Sequence, residues 1–254
     1  VPLSLNSRGL TSAGMPTAFG SLDINFDFIS HNIYFFASNG KTISFSLKDL
    51  SVADFYKEVV HALEELNVVV KINPMSVEMK TAVKMDTDNE NKTYDADAVR
   101  RWWHLLVMIG NVFNKFRSRF SGKESPVNFF WGSFDLAITF FSGKIVRPPP
   151  DSDMIYRVAM DAEQITLGFW SGNDDSPEPI FFGYIYPKPD GFEKTTVKPS
   201  TGKWSAEKGE FILPYEAIRT SDPEGSLMEF CESIYEAGAE LGHWDLKTLE
   251  HKQK

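Results

Sequence analysis

The chain has 254 residues, 42% hydrophobic and 14% aromatic, enough apolar side chain for a packed core, which excludes a disordered chain. Lys and Arg number 26 against 35 Asp and Glu, a formal net charge of -9. Such a surface repels phosphate backbones, so no nucleic-acid partner is expected. No apolar run approaches the roughly 20 residues of a membrane helix, so no membrane partner is expected either. The lone cysteine, Cys231, allows no internal disulfide and points to a reducing, cytoplasmic setting.

The chain opens at Val1-Pro2-Leu3, without an initiator Met, in a stretch that already reads as a strand over residues 2–8. The expectation is that an N-terminal segment precedes it. Residues 9–20 read as turns. Leu22, Ile24, Phe26 and Phe28 then alternate with Asp23, Asn25 and Asp27, the pattern of a half-buried strand. Residues 32–37 and 42–47 flank Asn39-Gly40, a hairpin signal whose two turn residues are expected at positive φ. Gly40-Lys41-Thr42 resembles the end of a phosphate loop, but Phe35 stands where that motif needs a glycine, so the hairpin reading is preferred.

Ser51 caps a helix whose apolar stripe is Val52, Phe55, Val59, Leu63 and Leu66. Residues 67–73 read as a strand that Pro74 ends, and residues 75–94 as a polar connector. Within the connector, Asp86, Asp88 and Glu90 lack the turn glycine of a calcium loop, so a solvated acidic stretch is expected. Asp95 caps a long helix to about residue 120. Val99, Trp102, Trp103, Leu106, Phe113 and Phe120 fall on one face and Arg101, His104, Asn111, Lys115 and Arg119 on the other. Arg117 falls among the apolar set, so it either snorkels out or meets a carboxylate or an anionic ligand.

Residues 127–141 read as a long strand or a hairpin pair, 154–162 as helix or turn, and 165–170 and 180–186 as strands. A hairpin over 204–213 turns at Lys208-Gly209. A last helix covers 224–241, with Leu227, Phe230, Cys231, Ile234 and Leu241 inward. The fold class is therefore α+β, mainly antiparallel sheets with helices. One domain over 1–254 is expected. Its halves, 1–74 and 122–254, read as pseudo-repeated β-β-β-β-α units linked by the connector and helix at 75–121.

The stretch around Trp131 carries the densest chemistry. Period-two alternation puts Phe130, Phe134, Leu136, Ile138 and Phe140 on one face, and Trp131, Ser133, Asp135 and Thr139 on the other. An aromatic platform, a hydroxyl and an acid on one face suit a pocket wall, and equally a strand facing solvent. Asp135 and Ser133 are the catalytic candidates. Arg8, Arg117, Arg119, Lys123, Asn128, Trp131, Glu163, Trp170 and Tyr215 are the ligand-binding candidates, the arginines for an anionic small molecule. No histidine pair has metal-ligand spacing on one helix, so no metal site is expected, and no cofactor is implied. Cys231 lies in an apolar helical stripe and reads as a core thiol.

Several blocks resemble a bacterial family catalogued as a domain of unknown function, numbered five-nine-nine-six. They include Ser7-Arg8-Gly9-Leu10-Thr11, Ser51-Val52-Ala53-Asp54-Phe55-Tyr56, Phe129-Phe130-Trp131-Gly132-Ser133-Phe134-Asp135-Leu136-Ala137 and Leu213-Pro214-Tyr215-Glu216-Ala217. The resemblance runs in order along essentially the whole chain. It implies one family-wide domain, preceded in relatives by a segment with a helix and a Trp/His-rich stretch. It also associates a His with the position that Ala162 holds here. It implies no substrate and no reaction. Two expectations stand: a small-molecule enzyme or enzyme-like protein around Trp131, Ser133 and Asp135, and a non-catalytic binding or assembly protein using exposed aromatics.

Overall fold

A computed structural model describes residues 2–75 and 83–251. Val1 of the expected first strand and residues 76–82 of the expected connector lie outside the described residues. The fold is α+β, and within each unit the strands pair antiparallel. The chain divides into two compact units, Val1–Val107 with Trp131–Ser133, and Met108–Phe130 with Phe134–Lys254. Among the described residues, no helix is long and apolar enough to cross a membrane.

The first unit contains β1 (Pro2–Asn6), β2 (Gly9–Thr11), β3 (Met15–Thr17), β4 (Gly20–Asp27), β5 (Asn32–Ala37), β6 (Thr42–Ser46) and α1 (Val52–Glu65). Its sheet order is β1-β2-β4-β5-β6, with β3 also on β4. Residues 9–20, expected as turns, thus hold two strands. Each is three residues long, too short to display a period of two. They take successive stretches of one edge, β2 facing Asn25–Asp27 and β3 facing Gly20–Leu22. The hairpin at Asn39-Gly40 forms, but only Gly40 takes positive φ, at 89°. Ala37 N–H bonds Lys41 C=O at 2.9 Å, so the loop has three residues and needs one left-handed position.

Ser51 caps α1, its hydroxyl accepting the Asp54 N–H while Asp54 reaches back to the Ser51 N–H. The apolar face of the sheet packs on this helix, where Phe45 meets Phe55 edge-on at 5.7 Å and Ala53 is fully buried. The strand expected over 67–73 does not form. Asn67 turns the chain out of the helix at φ 57°, and Val69 is 98% exposed. Apolar, branched residues there meet the composition of a strand without a neighbour to pair with.

The helix α2 (Ala96–Arg117) starts where Asp95 accepts the Ala98 N–H at 2.9 Å. Arg101, His104, Asn111 and Lys115 are exposed along it, a solvated face.

The second unit contains β7 (Asn128–Phe130), β8 (Asp135–Ile145), α3 (Met154–Ala159), β9 (Ala162–Trp170), β10 (Ile180–Tyr186), β11 (Lys203–Ser205), β12 (Glu210–Pro214), α4 (Pro223–Leu241) and α5 (Leu246–Leu249). Its sheet order is β7-β8-β9-β10-β12-β11. One sheet face is made of Leu136, Phe140, Ile165, Leu167, Phe181, Phe211 and their neighbours, all essentially sealed from solvent. The helix α4 covers it with Leu227, Phe230, Cys231, Ile234 and Tyr235. Two glycines permit this close approach, one on each side. A methyl at Gly183 would stand 2.7 Å from Ile234 Cδ1, and one at Gly238 would stand 3.0 Å from Ile165 Cδ1.

Gly183→Ala is therefore an overpacking change against Ile234 and Leu167, both fully buried. It should cost about 1–3 kcal/mol, read as a lower urea midpoint with an unchanged slope.

Candidate functional site

The covered face of the second unit leaves the alternate residues of β8, β9, β10 and β12 on the other face. Asp135 lies opposite Trp170, and Thr139 opposite Thr166. Thr166 in turn lies opposite Tyr184, and the register that pairs Phe182 with Ile212 carries Glu210 to the same face. The hydroxyls form a short chain, since Thr139 Oγ1 and Thr166 Oγ1 are 3.0 Å apart and the Thr166 side chain hydrogen-bonds Tyr184. Aromatic rings flank the row. Phe182 lies over Gly168, where a Cβ would come within 2.2 Å of the ring, and it stacks nearly parallel with Tyr184 at 6.4 Å. Lys208 Nζ stands 5.2 Å from the Trp170 ring. At the margin, Tyr156 of α3 meets Tyr186 edge-on at 6.0 Å, and Gln164 donates to the Ala159 carbonyl at 3.2 Å.

The electrostatics of this face are unusual for a sheet surface. Burial pushes the Glu210 carboxyl up to about 7, against the pull of Lys208 and with a further push from Asp135. Burial also raises the Tyr184 phenol. The Thr166 hydrogen bond opposes that rise, and Asp135, Glu210 and Tyr156 add to it. The Asp135 charge thus acts on both groups.

The remaining sequence-predicted residues do not all join this face. Trp131, Gly132 and Ser133 lie in the turn between β7 and β8, closed by the Phe134 N–H on the Phe130 carbonyl at 2.8 Å. The turn breaks the expected alternation, because Phe134 takes φ 59°. Phe130 consequently pairs with Asp135, on its face, and Phe129 with buried Leu136. Trp131 and Ser133 fall in the first unit, where Trp131 stacks on Phe26 at 5.9 Å. Phe26 follows Asn25 and precedes Asp27 on β4, so its ring projects to the face opposite theirs.

Arg117 bonds Glu124 at 2.6 Å, the carboxylate alternative for its place among apolar positions. Arg119 lies over the Phe116 and Tyr235 rings and faces Glu232, Glu236 and Glu250 at 3.9, 3.9 and 3.4 Å. Both arginines are thus engaged by carboxylates of the protein itself. Lys123 sits 4.9 Å from the Phe141 ring, and Asn128 lies opposite Ala137 on the uncovered face.

Of the trio Glu163, Trp170 and Tyr215, Trp170 alone lies on the uncovered face. Glu163 shares the parity of buried Ile165 and pairs with Lys144 at 3.1 Å, and Tyr215 packs on Phe169 and Phe181. Glu210, Tyr184 and Thr166 were missed by reading motifs. The phase of their strands relative to buried neighbours is the signal that finds them. Elsewhere, the buried His31 meets the Tyr94 hydroxyl through Nδ1 at 3.0 Å. Burial lowers His31, and it pushes Tyr94 up to about 12. Burial likewise raises the Cys231 thiol. Among the described residues, no group of three or more His, Cys, Asp or Glu could hold a metal ion.

Arg119→Ala should remove three screened ion pairs and its ring packing together, lowering stability by about 1–2 kcal/mol. The loss should shrink in high salt, as chemical denaturation at two ionic strengths would read.

A family model, described as a family of unknown function (DUF5996), matches residues 1–251. No curated protein and no solved structure matches the chain.

Proposed function

We propose, for a chain that belongs to the DUF5996 family, that the uncovered face of the second unit is a small-molecule site for general acid–base chemistry. One observation carries this reading. The hydroxyl row Thr139–Thr166–Tyr184 shares one face with two carboxyls, Asp135 and Glu210, and burial pushes Glu210 up to about 7. A group titrating near working pH gives and takes protons most effectively, and a second carboxyl on the same face offers a partner for the transfer. In this reading Glu210 gives the proton, Asp135 receives one, Tyr184 donates a hydrogen bond to substrate, and Trp170 supplies an apolar platform. The substrate is a small polar molecule. Nucleic acid is disfavoured by the net charge of -9. A cytoplasmic setting is consistent with the single free, buried thiol. Ser133 and Trp131 play no part in this chemistry.

A second reading, a non-catalytic assembly protein, is favoured by the exposed apolar residues of α3, with Met154, Ile155 and Val158 each about two-thirds exposed or more. Sedimentation velocity separates the two, since assembly through α3 should raise the mass with concentration.

The acid–base reading is tested by carboxyl-detected NMR. The Glu210 resonance should titrate with a midpoint near 7, and an ordinary carboxylate midpoint would sink the reading. Thermal shift against a metabolite library should give a stabilising ligand whose effect is lost in Asp135→Asn and Glu210→Gln. A raised carboxyl binds its proton more tightly folded than unfolded. Its contribution to stability is therefore present below the ordinary carboxylate range and is lost as pH rises through about 7. Denaturation midpoints should fall over that window in the wild type, and less in Glu210→Gln.

A further inference from the structure

The first unit carries a separate groove of about 400 Å³, lined by Asn6, Arg8, Asn25, Asp27, Tyr34 and Phe36, among others. That volume lies within the range of small-molecule sites. The pairing of Asn25 with Tyr34 and of Asp23 with Phe36 sets the two aromatic residues on one face. Their rings are stacked, with centroids 5.6 Å apart and planes inclined by only 2°. Arg8 reaches the groove from the turn between β1 and β2. That turn is tied down by Asn6, whose Oδ1 accepts the N–H groups of Arg8 and Gly9 and whose Nδ2 donates to Asn25 at 3.1 Å.

Asp27 is the anchor. Its Oδ1 accepts the Ile29 and Ser30 N–H groups, each at 2.9 Å, and its Oδ2 accepts the Nε–H of Arg8. Burial alone would raise this carboxyl. The Arg8 hydrogen bond and the two backbone N–H groups outweigh burial and hold it below the usual carboxylate range. The Asp27 side chain is 7% exposed and that of Arg8 is 55% exposed. A buried acid therefore holds the guanidinium through one N–H while more than half of the arginine side chain stays exposed. Among the described residues, Arg8 has no other ion-pair partner. Fixing the fork before binding removes much of the entropy cost of ordering an arginine.

We propose that this groove binds a planar aromatic monocarboxylate, its carboxylate on the amino edge of Arg8 and its ring against Phe36 and Tyr34. The guanidinium fork matches a carboxylate in two parallel hydrogen bonds. A neutral ring lacks the second acceptor oxygen and the charge that this fork pairs with, so the anionic group is what Arg8 selects. The site stands on the first unit alone and is independent of the acid–base reading of Glu210.

The test follows the Arg8 Nε–Hε resonance in ¹H–¹⁵N spectra during titration with benzoate and with benzamide, its neutral isostere. Benzoate should shift it saturably, and benzamide should not at the same concentrations. Arg8→Lys should weaken benzoate binding by about tenfold or more, because lysine keeps the charge but not the fork. Phe36→Ala, at a 44% exposed position, should weaken it several-fold with the rest of the spectrum unchanged. The absence of a saturable benzoate shift, equal binding of benzamide, or undiminished affinity in both variants overturns the proposal.

Discussion

Each residue of a strand has only one face to occupy, and in each unit of this protein a helix claims one face of the strands. Burying a large apolar side chain contributes about 1.5–3 kcal/mol, and the covered face of the second unit holds at least seven such side chains. Slipping any central strand by one residue would expose its whole apolar set at once. That cost fixes the phase of β8, β9, β10 and β12, and the phase in turn decides which polar groups share the other face. Asp135, Thr139, Thr166, Tyr184 and Glu210 are neighbours because Leu136, Phe140, Ile165 and Phe211 must be buried. The same logic in the first unit places Asn25, Asp27, Tyr34 and Phe36 together.

Much of the fold was legible from local chemistry. The Ser51 and Asp95 caps, the Asn39-Gly40 and Lys208-Gly209 hairpins and the alternation of β4 and β10 all depend on neighbours within a few residues. What failed depended on distance. Strands β2 and β3 are too short to show a period and exist because β4 offers an edge. Residues 67–73 have strand composition, but composition cannot supply a partner. The family itself was legible in the ordered blocks along the chain.

The site was less legible, for two physical reasons. Alternation was carried through Trp131–Phe134 as though the chain stayed extended, but a left-handed Phe134 resets the phase there. Asp135 kept its place on the polar face, and Phe130 changed sides. The second reason is that a charge in a sequence does not announce its partner. Arg117 and Arg119 stood out for their helical positions, and carboxylates from Glu124 and from the helix α4 and its sequel meet both. Arg8 drew less notice, yet its buried partner Asp27 leaves more of it exposed than either helical arginine. Exposure beside a fixed counter-charge, a property of packing, is what sets Arg8 apart from Arg117 and Arg119.

Cys231 sits at 0% exposure where α4 meets the sheet. With its thiol raised by burial, it is both shielded and poorly nucleophilic in the native state. An alkylating reagent can reach it only when α4 lifts away from β9 and β10. As the chain's sole sulfhydryl, it is a built-in clock for that one opening. Its modification rate reports local unfolding of the second unit without any engineered label.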